Sequence, residues 1–262
     1  MKSMKQEMME IASQRLLAPR IYEMTLKGQL VKEMSVPGQF LHLRVPQNDL
    51  LLRRPISVND INHEEGTCRI IYRVEGDGTR VFSEMQAGDK IDVMGPLGNG
   101  FQLSDIHAGD TVYIVGGGIG IPPLYELSKQ LIALGAKPVH FLGYASKEVM
   151  YYEEEFRALG ETHIATDDGT YGVHGHVGYL LAEADETPAA VFSCGANGML
   201  KAVEQKYLSI VENVQLSLEA RMACGMGACY ACVCHLQEDK TGQKSVKVCD
   251  EGPIFPAGKV VL

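Results

Sequence analysis

Three cysteines, Cys224, Cys229 and Cys232, stand in the spacing C-x4-C-x2-C inside "CGMGACYACVCH" at 224–235, with Cys234 two positions further on. Thiols gathered in this way can ligate a metal, form disulfides or pack in a core, and each use needs different surroundings. The chain has seven cysteines, and five of them follow residue 220. The opening stretch "MKSMKQEMMEIASQRLLAPR" carries charges throughout and lacks the apolar run of a secretory signal. No run approaches the roughly 18 apolar residues of a membrane span. The expected location is therefore the cytoplasm, where disulfides are rare and clustered thiols more often bind metal or do redox work. A zinc site would favour C-x2-C pairs spaced across two knuckles. Cys68, in "TCRIIYRV", reads as a small buried hydrophobe.

Two glycine-rich turns are candidates for holding phosphate. "VGGGIGIPPL" at 115–124 follows an apolar run and opens a helical one. Glycines there let the backbone approach a pyrophosphate, and the free N–H groups of a helix N-terminus attract its charge. Pro122 and Pro123 suit the first helical turn. The alternative is a turn that only joins strand to helix, and the strict G-x-G-x-x-G with a distant acidic residue is not matched. "SCGANGML" at 193–200 is a second such turn. Ligands of open α/β sheets bind at the carboxyl ends of strands, so two turns give one crevice two walls, with Cys194 at its edge. Earlier in the chain, Arg54 with Ser57, then Tyr72 and Arg73, then Gly78 and Thr79 form a polar set among apolar runs. Arg and Ser can point at one pyrophosphate, and Tyr72 can stack on a flat ring. A surface Arg pair beside a strand is the plainer reading.

These residues need elements to hold them. At 262 residues the chain suits about two domains. Its 45% hydrophobic and 22% charged residues are those of an ordinary globular protein, and a net charge of −9 argues against a nucleic-acid backbone or an anionic membrane surface as partner. Up to about residue 100, the runs "EIASQRLL", "IYEMTLKG", "FLHLRVP", "PISVNDI", "TCRIIYRV" and "KIDVMGPLG" lie between turn signals, which predicts a small antiparallel barrel or sandwich. From "TVYIVGGG" onward, strand-like runs alternate with helical ones such as "PPLYELSKQLIALG", "VMYYEEEFRALG" and "GMLKAVEQKYLS", which predicts βαβ units and a parallel sheet. The expected division is 1–100, 101–213 and a short Cys-rich zone at 214–262. His174 and His176, in "GVHGHVG", read as loop or surface residues.

The R-x-x-S stretch, "GPLGNGF", "GGGIGIPP" and "CGANGML" together resemble the ferredoxin–NADP reductase superfamily. With the cysteine segment and "VCDEGPIF", the whole chain is similar to the electron-transfer subunits of NAD-dependent (class 1B) dihydroorotate dehydrogenases. The resemblance implies a fold of FAD-binding β-barrel, α/β nucleotide-binding domain and small [2Fe–2S] domain. It implies FAD on Arg54, Pro55, Ile56, Ser57, Ile71, Tyr72, Arg73, Gly78 and Thr79, with Ile56 standing where the superfamily carries a flavin-stacking Tyr. It implies NAD on Gly116, Gly117, Gly118, Gly120, Ile121, Pro122, Cys194, Gly195, Asn197 and Met199. Plant-type [2Fe–2S] proteins use C-x4-C-x2-C and a distant fourth Cys, here Cys249, leaving Cys234 to packing. The implied partner is an FMN-containing subunit that oxidises dihydroorotate, in a heterotetramer of two of each, with NAD+ as final acceptor in pyrimidine biosynthesis. Met222, Met226, Tyr230 and Leu236 are the expected contact residues. NAD(P)H:ferredoxin or sulfide-type oxidoreductase subunits are the related alternative, and a zinc-stapled nucleotide-binding module is the unrelated one.

Overall fold

The computed structural model describes residues 4–262. Six strands, β1 (Lys5–Ala18), β2 (Ile21–Lys27), β3 (Phe40–Leu43), β4 (Arg54–Asn62), β5 (Thr67–Arg73) and β6 (Lys90–Leu97), form a closed antiparallel barrel in the order β1-β2-β5-β4-β3-β6. Each of the six apolar runs of the first zone becomes a strand. Alternation explains how they close. In β5, Cys68, Ile70 and Tyr72 enter the barrel core, while Ile71 joins the core of the neighbouring sheet. Burial pushes the Cys68 thiol up to about 12, as its role as a small hydrophobe requires. Helix α1 (Asp77–Glu84) packs Phe82 into the barrel.

The second sheet has β7 (Thr111–Gly117), β8 (Lys137–Tyr144), β9 (Glu161–Thr166), β10 (Val173–His174), β11 (Ala190–Cys194) and β12 (Asn213–Ser217), all parallel. Its helices are α2 (Pro123–Ala133), α3 (Glu153–Arg157), α4 (Val177–Ala182) and α5 (Asn197–Tyr207). The predicted helical run at 149–160 yields only the short α3. Tyr152 sits at φ 62, and its hydroxyl reaches back to Glu23 of the barrel and accepts from Asn59 Nδ2 at 3.0 Å. A tertiary contact outweighs helix propensity there. Lys129 of α2 adds ion pairs to Asp60 of β4 and to Glu126, which in turn accepts from Ile61 N at 3.0 Å. Barrel and sheet are thus joined by buried polar bonds as well as by apolar contact.

The third zone does not stand apart. The residue-213 boundary cuts β12. A hairpin of β13 (Val233–His235) and β14 (Ser245–Lys247) is followed by β15 (Ile254–Pro256), which joins the second sheet antiparallel to β12. Cys232, Cys249, Val248 and Phe255 share one core with Tyr113, Val191 and Leu216 of that sheet. Asn99, in the glycine loop after β6, donates to the carbonyls of Asp250 and Glu251 at 3.0 Å. Among the described residues no helix is long and apolar enough to cross a membrane.

Candidate functional site

A cleft of about 330 Å³ opens between β4, β5 and the start of α1. It is lined by Arg54, Pro55, Ile56, Ser57, Ile71, Tyr72, Arg73, Gly78 and Thr79, all expected from the sequence, and by Glu75, Gly76, Ile119, Pro122 and Glu219, which were not assigned to it. The Arg54 guanidinium lies over Gly78, where a Cβ would stand 2.5 Å from Arg54 Nε. Only a residue without a side chain lets this cation sit on the first turn of α1. A guanidinium and a helix N-terminus both favour anions, so their juxtaposition fits a pyrophosphate. Thr79 Oγ1 accepts from the N–H groups of Glu75 and Gly76 at 3.0 and 3.3 Å and donates to the Gly76 carbonyl at 3.0 Å, which fixes this turn.

Tyr72 does not play the expected part. Its ring is 1% exposed, stacks on Tyr22 with centroids 5.9 Å apart, and meets Phe82 edge-on. Its hydroxyl donates to Gln14 Oε1 at 2.8 Å. The ring is committed to the barrel core and has no face for a flavin. Strand parity decides this: Tyr72 points in, while Ile71 and Arg73 point toward the cleft. Arg73 itself is ion-paired to Glu75.

A second cleft, of about 360 Å³, lies at the carboxyl ends of β7, β8, β9 and β11. Gly117, Gly118, Gly120, Cys194, Gly195 and Met199 line it as expected. Gly116 and Ile121 instead pack beneath the loop: Ile121 is fully buried, and a Cβ on Gly116 would meet Leu124 at 2.8 Å. Pro122 faces the first cleft, and Asn197 opens α5 outside the lining. Sequence reading missed Tyr144, Asp167 and His176 in this wall. His176 also accepts from Gly178 N at 3.1 Å to cap α4. Tyr151 donates to the Gly118 carbonyl at 2.8 Å, and Tyr144 to the Tyr151 carbonyl at 2.7 Å, so two phenols brace the glycine loop. Gly120 brings the two turns together: a Cβ there would stand 2.5 Å from the Cys194 carbonyl oxygen. Gly120→Ala is therefore expected to force the turns apart and raise KM for NAD+ at least tenfold, with flavin content unchanged. An unaltered KM would remove the close approach from the site.

The clefts meet. Ile119 and Glu219 line both, together with a third cavity that holds Ser57, Cys194 and the segment from Ser217 to Met222. Burial pushes the Cys194 thiol up to about 12, with Ser217 opposing the shift, so it is neutral at pH 7. Burial, reinforced by the charge of Glu75, raises the Glu219 carboxyl, and Arg73 opposes the shift.

That segment leads into the cysteine loop. Gly225 and Gly227 adopt φ of 71° and 79°, the left-handed region that glycine enters without strain. The loop then turns its N–H groups onto sulfur. Met226 N and Ala228 N donate to Cys224 Sγ at 3.4 and 3.3 Å, Gly227 N to Cys249 Sγ at 3.1 Å, and Cys249 N to Cys232 Sγ at 3.4 Å. Burial disfavours the Cys224 thiolate, but the Met226 and Ala228 N–H groups and Cys229 outweigh it and bring the thiol down to about 7. Cys229 bears on the Cys224 thiol, and the Cys249 N–H bond ties Cys249 to Cys232. Among the described residues no three His, Cys, Asp or Glu side chains converge on one metal position. Two sulfur pairs suit a binuclear [2Fe–2S] centre with two ligands per iron better than a single tetrahedral zinc. Cys234 sits on β13, half-buried against the core. Met226 and Tyr230 are exposed, whereas Met222 and Leu236 pack inward, contrary to expectation. Leu51, Leu52 and Val233 supply exposed apolar surface instead.

Comparison with known proteins agrees with this geometry. Residues 219–261 match the model of the iron-sulfur cluster binding domain of dihydroorotate dehydrogenase B, and residues 15–101 match that of the oxidoreductase FAD-binding domain. A relative from Enterococcus faecalis (strain ATCC 700802 / V583), named dihydroorotate dehydrogenase B (NAD(+)), electron transfer subunit, is 65% identical over 98% of this chain and 99% of its own length. One of the same name from Bacillus caldolyticus is 51% identical over 98% of each chain. Among solved structures, a chain of an NADH-dependent reduced ferredoxin-NADP oxidoreductase is 28% identical with a TM-score of 0.85, covering 97% of this chain and 90% of that one. The FAD/NAD binding domain of nitric oxide dioxygenase from Vibrio cholerae shares the fold at a TM-score of 0.68 and 15% identity, over 82% of this chain and 99% of that one. The chain belongs to the family of dihydroorotate dehydrogenase B (NAD(+)) electron transfer subunits.

Proposed function

We propose that this chain carries electrons from an FMN-containing subunit that oxidises dihydroorotate, through a [2Fe–2S] cluster and FAD, to NAD+, in pyrimidine biosynthesis. The observation that carries the reading is continuity: one set of residues, Ile119 and Glu219 with Cys194, joins the flavin cleft, the nicotinamide cleft and the segment entering the cysteine loop. FAD exchanges hydride with a nicotinamide and single electrons with an iron–sulfur centre, so it belongs between the two. The protein's own residues bind and orient. Arg54 and the start of α1 hold the pyrophosphate. The loop braced by Tyr151 holds the dinucleotide. Cys194 and Glu219 border the place where the two rings meet, and the neutral thiol supplies shape and a weak hydrogen bond rather than charge. The functional units are the barrel at 1–100, the nucleotide domain at 101–213 and the cluster zone at 214–262, with β15 securing the last to the second.

The partner surface is the cluster loop. Cys229 is exposed, Tyr230 is 66% exposed, and the loop of Leu51, 83% exposed, borders Ala220–Met222. Exposed aromatic and Met side chains are enriched in protein contacts. The assembly proposed is two copies of each subunit. The isolated chain is expected to reduce artificial acceptors with NADH and to leave dihydroorotate untouched. Adding the FMN subunit gives dihydroorotate-dependent NAD+ reduction, and Tyr230→Asp lowers that coupled rate at least tenfold while sparing acceptor reduction. Oxidation of dihydroorotate by this chain alone would overturn the assignment. The likeness to the ferredoxin-NADP oxidoreductase chain favours one second reading, a ferredoxin-linked subunit; reduced ferredoxin as an equally good donor in the same assay would select it.

A further inference from the structure

His42 has a place in the fold that neither cleft explains. It is fully buried, and among the described residues neither ring nitrogen has a hydrogen-bond partner. Buried polar groups are almost always paired, so an orphaned imidazole points to a group it was built to meet. Its neighbours are specific. On β3 it lies opposite Pro55 of β4, which lines the flavin cleft. On its other side, Nδ1 occupies the space that a Cβ on Gly225 would need. One side chain therefore touches both the flavin-bearing strand pair and the first turn of the cysteine loop. Arg53 holds this part of β3 in place, donating to the His42 carbonyl at 3.2 Å and pairing with Asp92 at 2.7 Å. An imidazole carries at least one N–H to donate.

We propose that His42 is a positioning residue of the [2Fe–2S] site, donating a hydrogen bond to sulfur at the Cys224 corner and raising the potential of the cluster. The inference rests on the iron–sulfur reading of Cys224, Cys229, Cys232 and Cys249. Backbone N–H groups already point at the sulfurs of Cys224, Cys232 and Cys249, and the ring adds a side-chain donor from the flavin side. Hydrogen bonds to sulfur are one of the factors that set cluster potentials. A donor favours the reduced state because that state puts more negative charge on sulfur. No proton is transferred; the bond strengthens as the cluster takes up one electron. The side chain of Gly225 is missing for the same reason, since any other residue would push the ring away.

The test uses the full chain with its cluster. Pulsed EPR on the reduced protein labelled with ¹⁵N-histidine is expected to show a histidine nitrogen coupled to the cluster, and His42→Leu and His42→Gln both to lose it. Redox titration followed by EPR is expected to place His42→Leu at least tenfold lower in the one-electron equilibrium, about 59 mV. His42→Gln, which keeps an N–H donor, should lie between the two. A reduced cluster with no histidine coupling in the unsubstituted chain, or equal potentials in the three proteins, overturns the proposal. If His42→Leu fails to fold, the labelled unsubstituted chain and His42→Gln still decide. Absence of any [2Fe–2S] signal from the unsubstituted chain would sink the functional reading together with this one, whereas a cluster without histidine coupling sinks this one alone.

Discussion

Cys249→Ser is expected to purify without the visible absorption and EPR signal of a [2Fe–2S] centre, while Cys234→Ser keeps both. Cys249 is 3% exposed, receives the Gly227 N–H at 3.1 Å, and gives its own N–H to Cys232 Sγ at 3.4 Å. On the proposed assignment it shares an iron with Cys232, so its loss would leave that iron with a single protein ligand. Changes in the outer shell of a metal site alone cost roughly 10–100-fold in affinity, and loss of a ligand costs more, so retained iron should fall below roughly a tenth. Cys234 is differently engaged: its thiol donates to the Val246 carbonyl at 3.8 Å, and none of the loop N–H groups that point at Cys224, Cys232 and Cys249 points at it. Iron and zinc measured together separate the binuclear centre from a zinc staple. Bleaching by Cys234→Ser with Cys249→Ser still coloured would reverse the ligand assignment.

The second large effect is on the flavin. Arg54→Ala should release FAD during purification while leaving the iron content unchanged. The guanidinium sits on the first turn of α1 in space that Gly78 leaves open, so its removal takes a side-chain cation from that turn while the backbone N–H groups remain. A charge-assisted hydrogen bond is worth about 1.5–3 kcal/mol, or roughly ten- to hundredfold in affinity. Arg54→Lys restores charge but not the planar fork and should recover only part of the loss. Gly78→Ala tests the same geometry from the other side, since its methyl group would displace the guanidinium. Full flavin occupancy in Arg54→Ala would remove Arg54 from the site, whereas loss of iron along with FAD would point to a general collapse of the barrel.

What the sequence determined by itself is what repeats locally. Two-residue alternation in six runs predicts the barrel strands, and the change to alternating strands and helices at residue 101 predicts the parallel sheet. The cysteine intervals are equally local, and with Gly225 and Gly227 they specify a loop that turns its N–H groups onto sulfur. Cleft-lining residues supplied by one continuous stretch were therefore legible: Arg54 to Ser57 in the first cleft and Gly117, Gly118 and Gly120 in the second. Tertiary structure decided the rest, because it depends on which faces pack together across long stretches of chain. Tyr72 looked like a flavin-stacking ring, but the parity of β5 turns it into the core against Tyr22. The run at 149–160 carries a helical pattern, yet the Tyr152 hydroxyl is drawn to Glu23 across the domain boundary. Glu219, far from Ile119 in sequence, meets it where the clefts join, and no local signal marks it. His42 reads as one more residue of a strand until Gly225, more than 180 positions later, is folded against its ring. Local periodicity is written in neighbouring residues, whereas a contact between distant segments exists only once the cores of barrel, sheet and tail have packed.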